Sequence, residues 1–318
     1  MNRFHFYPAA VVAALLFVSV GAARADAWTV KDAAGRSVEI ADTSRIVTIG
    51  GAVTEIVYAL GFGDKVIAID ITSTYPAEIK KLPSIGYMRA LAPEGVLSLG
   101  PTLVLAIQGS GPAEAVDVLS RASVPFVLIP EGADEDAVLK KIRAVAKALG
   151  VSEKGEQLVK TISEDMQAAK AMLAQRVSKQ RSAVFVLSTG NGTPTVAGAD
   201  TAVAGMFKLS HVDNAMAAVH GFKPATPEAT LAAQPQTIIM LLERSHALDE
   251  NAIFALPAFA GTPAAKNKSL VLIPSYYLSF GPRTPQAIRD LAARIYPELD
   301  LPKLPPRPWT EAKSIHAK

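Results

Sequence analysis

Cysteine is absent from the 318 residues of the chain. Its absence excludes disulfides, thiolate metal sites, cysteine nucleophiles and a lipid-modified cysteine at a signal-cleavage site. It does not by itself assign a compartment. An excess of one charge sign is also lacking. The 32 basic and 29 acidic side chains leave a formal charge of +3, and the scattered Lys and Arg residues make no nucleic-acid footprint. Beyond the N-terminus, no uncharged apolar run reaches the roughly 20 residues that a membrane span needs. The signatures of chemistry are missing as well. There is no Gly-x-Ser-x-Gly, and His211, His220 and His246 fall in no triad signature. No His-x-x-x-His pair suggests a zinc site. Thr189-Gly190-Asn191-Gly192 is glycine-rich, but it lacks both the Walker and the dinucleotide fingerprints and reads as a turn. These absences point to a binding protein rather than an enzyme.

What is present describes a packed globular chain. Half of the residues are apolar and 19% are charged, which argues against disorder over most of the length. At roughly 100–200 residues per domain, the length suggests two domains or one large one. The N-terminus opens with Asn2-Arg3, continues with an apolar run from Pro8 to Val20, and reaches Ala23-Arg24-Ala25. This is the order of an export signal with a small-residue cleavage site. If residues 1–25 are removed, Arg3 and Arg24 leave with them. The mature chain then carries 30 basic and 29 acidic side chains, a formal charge of +1. The expectation is an exported soluble protein of the periplasm.

After Asp26, short apolar runs alternate with helix-like segments. Ile46–Ile49, Val66–Asp70, Leu103–Ile107 and Phe126–Ile129 read as buried strands. Thr54–Leu60, Ala113–Arg121 and Asp134–Leu149 read as helices, punctuated by Pro112, Gly61 and Gly150. Asp32–Arg36 reads as a hairpin turn in a small leading β element. The same grammar restarts with strands at Ala183–Leu187, Thr237–Leu241 and Leu270–Ile273 and helices at Thr201–Leu209 and Thr284–Tyr296. Such alternation implies parallel sheets covered by helices. Between the halves, Leu158, Ile162, Met166, Ala169 and Leu173 recur at three- and four-residue steps, marking one apolar face of a helix roughly 40 Å long. The expected organisation is a signal peptide over 1–25, an N-terminal α/β lobe over 26–150, a connecting helix over 151–180, a C-terminal α/β lobe over 181–298 and a Pro-rich tail over 299–318.

An internal repeat supports two similar lobes. Pro93-Glu94 is followed by Leu97 and Pro101, and Pro227-Glu228 by Leu231 and Pro235, so the offsets from each glutamate are three and seven residues. A carboxylate in the first turn of a helix favours the dipole, which would suffice for a single copy. Two matched copies suggest symmetric surface points for a symmetric partner.

The most specific stretch is Gly86-Tyr87-Met88-Arg89-Ala90-Leu91-Ala92-Pro93-Glu94-Gly95. With Ile46–Glu55, Leu241–Leu248 and Phe280–Pro285, it resembles the periplasmic haem-binding proteins of ABC haem-uptake systems, from about Arg45 to Pro297. Apart from Gly-Tyr-x-Arg-x-Leu, these matches would suit siderophore or cobalamin receptors nearly as well. The resemblance implies a class III periplasmic binding protein fold, with two Rossmann-like α/β lobes joined by a single long helix. It implies ferric haem b as the transported ligand, with Tyr87 as the axial ligand of its iron. A phenolate is a hard anionic oxygen donor and an established haem ligand. A free phenol titrates near about 10, so coordination or a nearby cation must favour the phenolate. Arg89 could supply that charge or pair with a propionate. Arg244 matches the C-lobe arginine that hydrogen-bonds the tyrosine oxygen in related receptors. Glu94 and Glu228 would dock the monomeric receptor onto an inner-membrane ABC permease dimer. Tyr276 and Tyr277 suit either the cleft or the core, Met88 either the ligand or a gap in the core, and Arg283 reads as structural. None of the three histidines matches the second haem ligand of two-haem relatives. The alternatives are the same fold binding a siderophore or a cobalamin, and an exported two-lobe hydrolase, for which no convincing nucleophile is present.

Overall fold

The computed structural model describes residues 27–244 and 249–310, without the side chains of Asn191 and Arg244. The signal peptide over 1–25 therefore lies outside the described residues, as do His246 and the end of the tail. A leading hairpin of β1 (Trp28–Lys31) and β2 (Ser37–Ile40) is antiparallel. Its turn is closed by Asp32, whose carboxylate accepts from the Ala34 and Arg36 amides and pairs with the Arg36 guanidinium.

The first lobe is built on β3 (Ile46–Ile49), β4 (Val66–Ile69), β5 (Leu103–Ile107) and β6 (Phe126–Ile129), a parallel sheet in the order β4-β3-β5-β6. Every residue of β3 and β5 is buried, as expected of strands covered on both faces. The covering helices are α1 (Gly51–Ala59), α2 (Pro93–Leu97), α3 (Ala113–Arg121) and α4 (Glu135–Ala148). Asp134 caps α4 by accepting from the Ala137 amide at 2.7 Å. The chain leaves β3 toward β4 on one side and returns to β5 on the other. That reversal places a crevice at the carboxyl ends of the strands.

The connector is α5 (Ser152–Arg176), and its expected apolar face of Leu158, Ile162, Met166, Ala169 and Leu173 is buried. The second lobe contains β7 (Arg181–Ser188), β8 (Thr195–Ala197), α6 (Ala202–Leu209), β9 (Val212–Asn214), β10 (Phe222–Pro224), α7 (Pro227–Ala233), β11 (Thr237–Leu241), α8 (Glu250–Ala255), α9 (Pro263–Lys266), β12 (Leu270–Ile273) and α10 (Thr284–Ile295). Its sheet runs β10-β8-β7-β11-β12, with β9 also paired to β7. Strands β7, β11 and β12 are parallel, and β8 and β10 are antiparallel additions.

Three features differ from expectation. Helix α1 starts at Gly51 rather than Thr54, because Gly50 with φ 105° supplies the turn directly after β3. A Cβ on Gly50 would lie 2.7 Å from Cγ2 of Ile107, so β3 and β5 meet there without a side chain between them. The short elements β8, β9, β10, α8 and α9 carry three to six residues each, too few to show a period. The Pro-rich segment beyond α10 is extended but not free. Leu301 is buried, and Leu304 and Trp309 pack on the core. Arg307 makes a bidentate pair with Asp165 of α5 at 2.7 and 2.9 Å.

One apolar core runs through both lobes. It contains Ile46, Ile56 and Ile142 of the first, Ile162 and Met166 of α5, and Phe185, Ile239 and Ile288 of the second. Among the described residues, no helix is long and apolar enough to cross a membrane.

Candidate functional site

The carboxyl ends of the parallel strands in both lobes carry a dense set of polar contacts. Asp70, directly after β4, is fully buried. It accepts from the Gly50 amide at 2.8 Å, the Thr72 amide at 3.1 Å, the Thr72 hydroxyl at 2.7 Å and the Ser73 hydroxyl at 3.0 Å. Ser73 continues through Thr54 to Thr48 by hydroxyl contacts of 2.7 and 2.8 Å. This network fastens the β3–α1 turn to the loop after β4, and every member has a partner, as buried polar groups require.

That loop carries Tyr87. Residues 83–86 run beside the end of β4, through Ile69 N to Pro83 O, Ile85 N to Ile69 O and Ile71 N to Gly86 O. Gly86 has φ 85°, which a side chain would resist, and there the chain turns outward. A turn closes from the Ala90 amide to the Tyr87 carbonyl, and the Gly111 amide donates to the Met88 carbonyl at 2.9 Å. Tyr87 thus stands on a backbone held from both β4 and β5. Its side chain is 42% exposed, and among the described residues nothing engages its hydroxyl. Met88 is half-buried and packs into two core clusters, the gap-filling role of a methionine. Arg89 is exposed and forms no ion pair among the described residues.

The second lobe meets this edge through the loop between β12 and α10. Arg283 donates to Glu55 of α1 at 2.9 and 2.6 Å, with both groups buried. Its guanidinium lies over the rings of Tyr75 and Tyr276, at 3.8 and 3.6 Å from their centroids. Burial pushes the Glu55 carboxyl up, while the hydrogen bond and charge of Arg283 pull it down. Burial likewise raises the Tyr276 phenol strongly and depresses the buried Lys141 amine. Lys141 reaches Glu131 at 3.1 Å and the Ser279 carbonyl at 3.4 Å. Tyr277 is core. The carboxylate of Glu243 accepts from the Ser275 amide and hydroxyl. This ties the 3-10 turn Leu242–Arg244 at the end of β11 to the turn Ser275–Leu278. A continuous seam therefore runs from the Tyr87 loop through Tyr75, Arg283 and Tyr276 to Glu243. It brings the backbone of Arg244 to the same interlobe region.

Glu94 and Glu228 occupy the first turns of α2 and α7, and both are exposed. His211 accepts from the Tyr296 hydroxyl through its carbonyl at 2.5 Å, and His220 contacts Asp200 at 2.7 Å. The residues that sequence reasoning missed are Asp70, Tyr75 and the partnership of Glu55 with Arg283. A lone carboxylate between Val53 and Ile56 on an apolar helix was the available signal for a buried cationic partner.

The Periplasmic binding protein family model matches residues 46–277. An uncharacterized ABC transporter substrate-binding lipoprotein, YvrC of Bacillus subtilis, is 30% identical over 85% of this chain and 86% of its own length. A vitamin B12-binding protein of Vibrio parahaemolyticus is 30% identical over 40% of this chain and 46% of its own. Among solved structures, the periplasmic heme-binding protein BhuT in complex with two hemes superposes with a TM-score of 0.75 at 36% identity, covering 79% of this chain and 97% of that one. The apo periplasmic heme-binding protein RhuT of Roseiflexus sp. RS-1 gives 0.77 at 36% identity, covering 80% and 99%. The mixed α/β lobes, the long connecting helix and the matched length agree: this chain belongs to the periplasmic binding protein family, whose members bind rather than transform their ligands.

Proposed function

We propose that the chain is a periplasmic receptor that binds ferric haem b in the cleft between its lobes and delivers it to an ABC importer of the inner membrane. The observation that carries this reading is Tyr87, an exposed phenol without a partner among the described residues, on a backbone held by two strands. The 36% identity to heme-binding proteins over most of both chains supports the same ligand class. In this reading Tyr87 is the axial ligand, a phenolate being a known haem donor. Arg89 and Arg244 supply positive charge for the phenolate or for the propionates. Glu94 and Glu228 present one acid per lobe to a two-subunit permease. The absence of cysteine leaves no thiol for a lipid anchor of the kind the lipoprotein relative's name implies. The porphyrin supplies its own electronics, and the protein contributes ligation and exclusion of water.

Titration with haemin tests the reading. A saturable Soret shift with tyrosinate character, lost in Tyr87→Ala, is expected. No saturable shift in the wild type, together with binding of cyanocobalamin, would transfer the site to the vitamin B12 class of its shorter match.

A further inference from the structure

Six large apolar side chains stand exposed among the described residues: Ile71, Tyr87, Val118, Phe222, Leu231 and Leu242. Single exposed apolar residues are ordinary on protein surfaces. Position separates three of these from the rest. Ile71 follows Asp70 at the carboxyl end of β4, Leu242 follows β11 at the carboxyl end of the other lobe's sheet, and Tyr87 lies on the loop bonded to Ile71. Ile71 is the most exposed of the six at 60%, beside a fully buried aspartate. The Asp70 network and the bond from Ile71 N to Gly86 O hold it in that position. Leu242, 45% exposed, is held in the same way by its neighbour Glu243, which is anchored on Ser275. Arg283 lies over Tyr75, on the segment after Ile71, and over Tyr276, next to the Ser275 that holds Glu243, so the segments carrying the two residues meet across the lobes.

A cation lies near each point: Arg89 three residues after Gly86, whose carbonyl accepts from the Ile71 amide, and Arg244 two residues after Leu242 in the chain. An apolar contact from each lobe, with one arginine on the segment bonded to or following each, suits a broad apolar ring carrying carboxylates. A polar iron chelate, or a macrocycle fringed with amides, would leave such apolar groups facing polar atoms.

We propose that Ile71 and Leu242 are the apolar contacts through which the two lobes grip the body of a tetrapyrrole, so that the ring is held independently of its metal. This rests on the haem reading above and assigns the specificity of that site to the ring. Burying an exposed isoleucine or leucine against an apolar partner is worth enough to change affinity by roughly tenfold.

The probe is metal-free protoporphyrin IX, which has the ring and both carboxylates but no iron for Tyr87 to ligate. Its fluorescence reports binding to the full mature chain. The wild type is expected to bind it saturably. Ile71→Asn and Leu242→Asn should each weaken binding roughly tenfold, while Val118→Asn, an equivalent change on α3, should leave it unchanged. Both target residues are exposed, so thermal unfolding should match the wild type. Ile71→Ala and Leu242→Ala provide milder variants, with an expected loss of roughly threefold. Haemin binding without protoporphyrin binding would overturn the grip and leave the haem reading standing. Protoporphyrin binding that the Asn variants weaken, alongside haemin binding with no tyrosinate signature, would preserve the grip and overturn the role of Tyr87. Wild-type affinity for protoporphyrin in both Asn variants overturns the proposal.

Discussion

Arg283 and Glu55 join the two lobes by a buried bidentate ion pair, with the guanidinium held between Tyr75 and Tyr276. Two desolvated charges are tolerated only while they face each other. Because the apolar core also crosses the lobes, opening the seam would separate the pair and expose core residues together. Glu55→Ala or Arg283→Ala should each cost about 3–5 kcal/mol, since either leaves one charge buried and unpaired. The double replacement Glu55→Ala/Arg283→Ala should cost less than the sum of the single changes. Urea unfolding of the four proteins measures this, and simple additivity would show that the pair is not coupled.

Asp70 has a positional role behind Tyr87. All four of its contacts are donors, so the site requires a group that only accepts. Asp70→Asn turns an amide NH2 toward donors and should lower stability by about 1–3 kcal/mol. Because the same loop carries Gly86 and Tyr87, haem affinity should fall even at temperatures where the variant is fully folded. Unchanged affinity in the folded variant would confine Asp70 to stability.

Alkaline pH should weaken the fold through its tyrosines. Burial raises the phenols of Tyr58, Tyr276, Tyr277 and Tyr296 above the ordinary value of 10. Above that pH the unfolded chain releases protons that the native chain keeps, so it binds fewer, and unfolding becomes easier as pH rises. For Tyr276 the slope reaches about 1.4 kcal/mol per pH unit in this window. Tyr276→Phe should flatten the fall in stability measured by urea unfolding between pH 9 and 11. The phenolate absorbance of the native protein should lag behind that of the unfolded chain.

The segment after α10 acts as a strap over the connector. Arg176 donates to the Asp300 carbonyl, Arg289 to the carbonyls of Leu301 and Pro302, and Arg307 to Asp165. A chain ending at Leu299 should lose about 3 kcal/mol or more, since Asp165 stays buried without its arginine and the Leu301 contact disappears. Asp165→Asn in the shortened chain should recover part of that loss in thermal unfolding. No recovery would assign the effect to Leu301 and Trp309 alone.

The docking role proposed for Glu94 and Glu228 is separable from ligand binding. Glu94→Ala and Glu228→Ala should leave haem affinity intact and impair uptake into transporter-containing liposomes, most severely together. Exposed ion pairs contribute about 0–1 kcal/mol each, so the effect should be larger at low salt, where screening is weak. Wild-type uptake by the double variant would reduce both residues to helix-start carboxylates.

The sequence determined those parts of the molecule that depend on near neighbours. Short, mainly apolar runs that include β-branched residues marked β5, β11 and β12, with bounds that agree to the residue. Steps of three and four marked the buried face of α5, because a helix repeats every 3.6 residues. The Gly-Tyr-x-Arg motif singles out Tyr87 through a resemblance whose signal is also local, and its role stays a proposal. Only the tertiary structure decided what holds that tyrosine and what fastens the lobes. Glu55 and Arg283 lie 228 positions apart, and Asp165 and Arg307 lie 142 apart. No periodicity links residues at such separations. Each pair exists because folding buries one charge where only the other can compensate it.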